Sequence, residues 1–151
     1  MTPQVILNAA RQALGMIRTA FICLLAAFFA ATSTLHFMKT GMFVRMVPPG
    51  FPAPLVLVYI SGACKLLGAV GVLIPRLRRA AGFGLILLLL AVFPANISMA
   101  FHPAAFSDIA SPATLWWRLP LQFVIIAWVW YACLAPVHTP QHDARAARSR
   151  P

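Results

Sequence analysis

Apolar residues in this chain gather in four long stretches with almost no charge inside them, separated by short segments where arginine, lysine and proline collect. A helix needs about 20 apolar residues to cross the hydrocarbon of a bilayer. The pattern therefore predicts four spanning helices over about 19–38, 53–74, 80–101 and 115–135, with Pro54, Arg76, Pro120 and Pro136 marking their ends. Ahead of the first, Gln4, Asn8, Arg11, Gly15 and Arg18 recur at helical spacing, while Val5, Ile6, Leu7, Leu14 and Ile17 fall mostly elsewhere on the wheel. This predicts an amphipathic lead-in helix over 1–18 that lies at the membrane interface. A cleaved signal peptide is the competing reading, and the long lead and the three later spans weigh against it.

The loop over 39–52 carries Met46-Val-Pro-Pro-Gly-Phe-Pro52, which reads as a stiff non-helical crossing. The loop over 102–118 has room for a short turn started by Ser111 and Pro112. The segment 136–151 is polar, rich in arginine, alanine and proline, and has the composition of a disordered basic tail.

Composition narrows the class further. The 151 residues are 62% hydrophobic and 9% charged, against about 45–50% and about 25% in soluble domains. An all-α, integral membrane four-helix bundle of one domain is the predicted fold. The net charge of +10 comes from arginines that flank the spans, so no nucleic-acid partner is expected. Arg11, Arg18, Arg76, Arg78, Arg79, Arg145, Arg148 and Arg150 fall on one side of the predicted topology, and only Lys39, Arg45 and Arg118 on the other. Basic residues concentrate on the cytoplasmic side, which predicts that the N-terminus and the C-terminus are both cytoplasmic. Trp116, Trp117, Trp128, Trp130 and Tyr131 sit toward the two ends of the fourth span, where amphipathic rings prefer the interface. Cys23, Cys64 and Cys133 lie in three different stretches, offer neither a dithiol nor a metal site, and read as packing residues.

Polar side chains inside the spans stand out, because each costs free energy in hydrocarbon unless it finds a partner. Lys65 is the most expensive, at about 2.5 to 3.5 kcal/mol for a central lysine. It lies roughly 17 Å from the outer end of its span, and the chain's only acids, Asp108 and Asp143, are outside the spans. Three states would satisfy it: loss of its charge, a wet cavity, or an external acceptor such as a ligand carbonyl or anion. Ser61, Gly68 and Val72 share its helical face, which suits a cavity and a close helix contact equally. His36 with Thr32, Asn96 with Ser98, and Arg118 with Gln122 fall in the same outer half of the bundle. Pro94 and Pro120 free backbone carbonyls near Asn96 and Gln122. These groups either bond across helices, with Arg118 an interfacial anchor, or line a ligand site.

Several elements of the sequence resemble the DoxX family of small four-helix membrane proteins: His36-Phe37, Val47-Pro48-Pro49, Tyr59-Ile60-Ser61-Gly62, the run from Gly68 to Pro75, Phe93-Pro94-Ala95-Asn96, and Arg118-Leu119-Pro120-Leu121-Gln122. The resemblance covers about residues 30–130. Its members usually carry a glutamate where this chain has Lys65, so any activity that needs that carboxylate is in doubt. The resemblance implies a multi-pass protein of the bacterial inner membrane that binds a small lipophilic ligand such as a quinone through His36, Lys65, Asn96, Arg118 and Gln122. It also implies a membrane subunit with a redox-complex partner, or a homo-oligomer. No covalently bound cofactor is expected, and no side chain here carries electrons, so catalysis by this chain alone is not expected. The alternatives are an accessory membrane protein whose polar groups only lock helix contacts, and a small carrier, which the lack of paired inverted repeats disfavours.

Overall fold

A computed structural model describes residues 3–135, and all their regular structure is helical. Five helices follow in order: α1 over Pro3–Met38, α2 over Thr40–Met46, α3 over Pro54–Leu73, α4 over Arg78–Phe101 and α5 over Pro112–Val129. A 3₁₀ turn over Pro103–Phe106 links α4 to α5, and a π-helical turn over Trp130–Leu134 extends α5. Four of these, with the π turn counted into α5, are long and apolar enough to cross a membrane. Helices α3 and α4 lie within a few residues of their predicted bounds, because proline, arginine and turn residues delimit them.

Other boundaries differ from expectation. The lead-in and the first span form one uninterrupted helix, 36 residues long, or about 54 Å at helical rise against about 30 Å of hydrocarbon. Nothing in 3–18 breaks a helix, and the first buried residue is Ile22, so the N-terminal half of α1 continues past the bundle. Helix α2 occupies the first part of the loop read as non-helical, and the chain turns extended only at Val47, before Pro48 and Pro49. Ser111 and Pro112 start α5 itself rather than a separate turn: the Ser111 hydroxyl accepts from Thr114 N at 3.4 Å and Pro112 needs no donor at the first position. The predicted tail lies outside the described residues.

Two apolar clusters hold the bundle. Leu25, Phe29, Val72, Leu85, Leu89 and Val129, with their neighbours, form the larger one, toward the end where α1 enters and α5 finishes. Met46, Met99, Phe106 and Leu115 form the smaller one, at the end covered by α2. Glycines bring α3 and α4 to backbone contact beside the larger cluster, Gly68 against Leu85 and Gly71 against Ala81. That assigns the Gly68 and Val72 part of the Lys65 face to helix packing. Arg18 closes this end by donating to the carbonyls of Ala132 at 3.2 Å and Ala135 at 3.0 Å, and Arg78 donates to the Val72 carbonyl at 2.9 Å. Both set a cation at a helix C-terminus, where the free carbonyls and the helix dipole favour it. Of the cysteines, only Cys133 is buried; Cys23 and Cys64 face outward and do not serve the core.

Candidate functional site

Between the two clusters lies a cavity of about 580 Å³. It shares Phe29 and Leu89 with the larger cluster and Met46 and Met99 with the smaller, so packed side chains close it at both ends. Its side walls include Leu57, Ile60 and Leu121, which are also exposed on the outer surface of the bundle. The lining also includes Val47, Pro48 and the exposed Phe51 of the α2–α3 connection, so the cavity reaches the surface between helices and beside that connection.

His36, Lys65, Asn96, Arg118 and Gln122, each singled out as a polar residue in an apolar stretch, all line this one cavity. On one wall, Lys65 Nζ stands 3.0 Å from His36 Nε2, and His36 Nδ1 stands 2.8 Å from the carbonyl of Thr32. A carbonyl only accepts, so Nδ1 carries the proton and Nε2 presents its lone pair to Lys65. Two fully protonated cations have no lone pair to share, so the pair holds at most one positive charge. Lys65 is thus paired with a neutral imidazole and needs no carboxylate on its own chain.

Local structure explains how that pair comes together. Gly62 lies one turn before Lys65, and a Cβ there would meet His36 Cβ and the Phe37 ring at 3.1 Å. Any larger residue would have to push these neighbours back by a few tenths of an ångström, and the Ser33 hydroxyl fixes the contact by donating to the Gly62 carbonyl at 2.7 Å. From α2, Phe43 stacks on the imidazole with ring centroids 3.9 Å apart. Thr40 returns a hydroxyl hydrogen bond to the His36 carbonyl at 2.8 Å, which ties the α1–α2 turn to the same residue.

A second wall is an amide relay. Gln122 Nε2 donates to the Leu89 carbonyl, and Asn96 Nδ2 donates to Gln122 Oε1 at 2.6 Å. Because the Leu89 carbonyl only accepts, both amides are oriented by it, and Asn96 Oδ1 is left with no partner among the described residues. Leu89 sits next to Leu90, whose carbonyl loses its usual donor to Pro94. The carbonyl that Gln122 uses is therefore not the one that Pro94 frees. Arg118 completes the wall with a single side-chain contact, Nη1 to Met99 Sδ at 3.9 Å.

Ser33, Gly62, Phe43 and Met46 belong to the site and were not anticipated in that role. A glycine one turn from an intramembrane lysine is the one signal that would have pointed to the α1–α3 contact; Phe43 and Met46 depend on α2. Ser98 and His102, noted for their polarity, do not line the cavity. His102 is exposed and bonds the Ser98 carbonyl at 2.9 Å. Outside the cavity, Arg45 holds Asp108 through bonds of 2.7 and 3.1 Å, joining α2 to the α4–α5 connection. Those bonds, with the guanidinium charge, hold the Asp108 carboxyl below the usual carboxylate range. No three His, Cys, Asp or Glu side chains among the described residues are grouped to hold a metal ion.

No curated protein and no solved structure matches the chain. A family model described as a domain of unknown function (DUF8561) matches residues 25–133, a span that takes in every residue lining the cavity, and the chain belongs to that family.

Proposed function

We propose that this protein is a DoxX-like inner-membrane protein of bacteria that takes a small lipophilic ligand, a quinone, into the cavity between its two apolar clusters. The observation that carries this reading is the convergence of five polar side chains from α1, α3, α4 and α5 on one otherwise apolar cavity. Ligand pockets commonly enclose about 300–1,000 Å³ and pair apolar walls with a few placed polar groups. A quinone has acceptor oxygens at opposite edges of its ring, and donors come from two different helices here: Lys65 from α3 and Arg118 from α5. Electrons would come from a partner protein or leave with the quinol, so the chain serves as a membrane subunit rather than as a complete enzyme.

In the orientation proposed from the arginine count, both ends of the chain are cytoplasmic and the cavity lies in the outer half of the bilayer. Single cysteines at positions 50 and 77 in a cysteine-free background test it: labelling of position 77 from outside only would reverse the orientation. The ligand is tested by extracting lipids from gently purified protein and comparing bound quinone in wild type and Lys65→Leu. Specific quinone that disappears in an equally folded variant supports the proposal. None above the detergent blank in either protein refutes it.

One observation favours a second reading, that of an accessory protein whose polar groups only lock helices. Asn96, Gln122 and Leu89 already satisfy most of one another's hydrogen bonds across α4 and α5. On that reading Lys65→Leu keeps or raises stability and changes nothing else.

A further inference from the structure

Arg118 has no partner that matches its charge. Its guanidinium is a permanent cation with five donors in a planar fork. Among the described residues its one side-chain contact is the thioether of Met99, a weak acceptor. The one carboxylate among those residues, Asp108, is held from the surface by Arg45. Lys65 engages His36 and also lines the cavity. The permanent cation of Arg118 and the Lys65–His36 pair therefore line one apolar-walled space with no anion of the described chain to meet them, an arrangement that is costly in a low-dielectric surrounding until an acceptor arrives.

We infer that the ligand of this cavity is an amphiphilic monoanion, with a carboxylate or enolate head between Arg118 and Lys65 and an apolar tail along Phe29, Leu89 and Val92. A guanidinium fork matches the two oxygens of such a head bidentately, and a charge-assisted pair is about twice as strong as a neutral hydrogen bond. Leu57, Ile60 and Leu121 line the cavity and are exposed on the outer surface, so a tail longer than the cavity passes out between helices beside them. The inference rests on the reading of the cavity as a ligand site and not on the ligand being a neutral quinone. A fatty acid and an acidic hydroxyquinone are two sources of the same head chemistry.

The test uses full-length protein in nanodiscs of zwitterionic phosphatidylcholine. Four tritiated probes with tails of equal length are compared: a carboxylate, its alcohol, a neutral alkyl-benzoquinone and a 2-hydroxy-3-alkyl-naphthoquinone. Binding is counted above that of empty nanodiscs. One or both anionic probes should bind about tenfold or more tighter than the alcohol and the benzoquinone, and which of them does so identifies the source. Arg118→Gln should erase the preference, Arg118→Lys should keep part of it, and Arg45→Gln, a cation outside the cavity, should keep all of it. Equal binding of neutral and anionic probes to the wild type overturns the anion inference and leaves the ligand site standing. Failure of all four probes to bind overturns both. If Arg118→Gln does not fold, the wild-type comparison of carboxylate with alcohol decides alone.

Discussion

Replacing Gly71 by alanine tests whether α3 and α4 are in backbone contact beneath the cavity. A Cβ at Gly71 falls 2.7 Å from Ala81 Cβ, with Ala81 Cα next at 3.9 Å. Non-bonded carbons rest about 3.5–4.0 Å apart. Neither methyl has a torsion that moves it aside, so the helices must separate by roughly 1 Å, and overpacking of this kind costs about 1–3 kcal/mol. At Gly68 the new Cβ overlaps Leu85 Cδ2 and stands 2.6 Å from Cγ. Leu85 is only 1% exposed, so it has little room to turn away and a loss of the same order is expected. Gly84 is the control: a Cβ there meets nothing within 4 Å, and alanine adds about 0.5–1 kcal/mol through reduced backbone freedom. Unfolding in mixed micelles, driven by a rising mole fraction of dodecyl sulfate and followed by tryptophan fluorescence, gives the three stabilities. The packing argument fails if Gly71→Ala and Gly84→Ala move the midpoint alike.

Three other outcomes follow from the same geometry. Gln122→Leu strands the Leu89 carbonyl and the Asn96 amide at a site 4% exposed, so it should cost about 1–3 kcal/mol; Asn96→Leu, which keeps the Gln122–Leu89 bond, should cost less, and the opposite order in the same unfolding assay would reject the relay. Arg18→Ala removes both bonds to the Ala132 and Ala135 carbonyls, so amide exchange at 130–135 should quicken while that of α2 stays unchanged, and uniform exchange would deny Arg18 its capping role. The folded Asp108 carboxyl titrates below its ordinary value because Arg45 donates to it. Its share of stability is therefore present above the ordinary pKa of about 3.9 and fades as pH falls through the lower folded value. Arg45→Gln should raise that titration toward the ordinary value when followed by carboxyl ¹³C shift, and an unmoved curve would contradict the pairing.

Apolar length alone located the spanning helices, because a bilayer demands it of any helix that crosses, and Pro54 and Arg76 marked ends within two residues of the observed bounds of α3 and α4. Length does not say where a helix extends beyond hydrocarbon, so the continuity of α1 back to Pro3 was hidden: Gln4, Asn8 and Arg11 are as compatible with a helix in water as at an interface. Seven residues are too few for α2 to show a period, and the prolines that follow it obscure it. The π turn packs against α4, where a Cβ at Gly82 would fall 2.7 Å from Cys133 Cβ, and nothing in Trp130–Leu134 announces it. At the site, Lys65, Asn96, Gln122, His36 and Arg118 were legible because polar groups are conspicuous among apolar ones. Ser33 and Gly62 are ordinary helix residues in a membrane protein, and only the close approach of α1 and α3 gives them a part.

The sense of one hydrogen bond bears on what Lys65 does for the cavity. Thr32 presents a carbonyl to His36 Nδ1, which leaves Nε2 as an acceptor facing α3. A glutamate at position 65 would need a donor at Nε2 and so would need the imidazole to gain a second proton or give up Thr32. Lysine satisfies the imidazole as it stands and also lines the cavity. Exchanging acid for lysine therefore changes this wall from one that accepts hydrogen bonds to one that donates them, while Arg118 only ever donates. On the proposed reading of the cavity as a ligand site, a carbonyl, enolate or carboxylate head would meet donors from both Lys65 and Arg118, and the unpartnered Asn96 Oδ1 is the acceptor left for a hydroxyl.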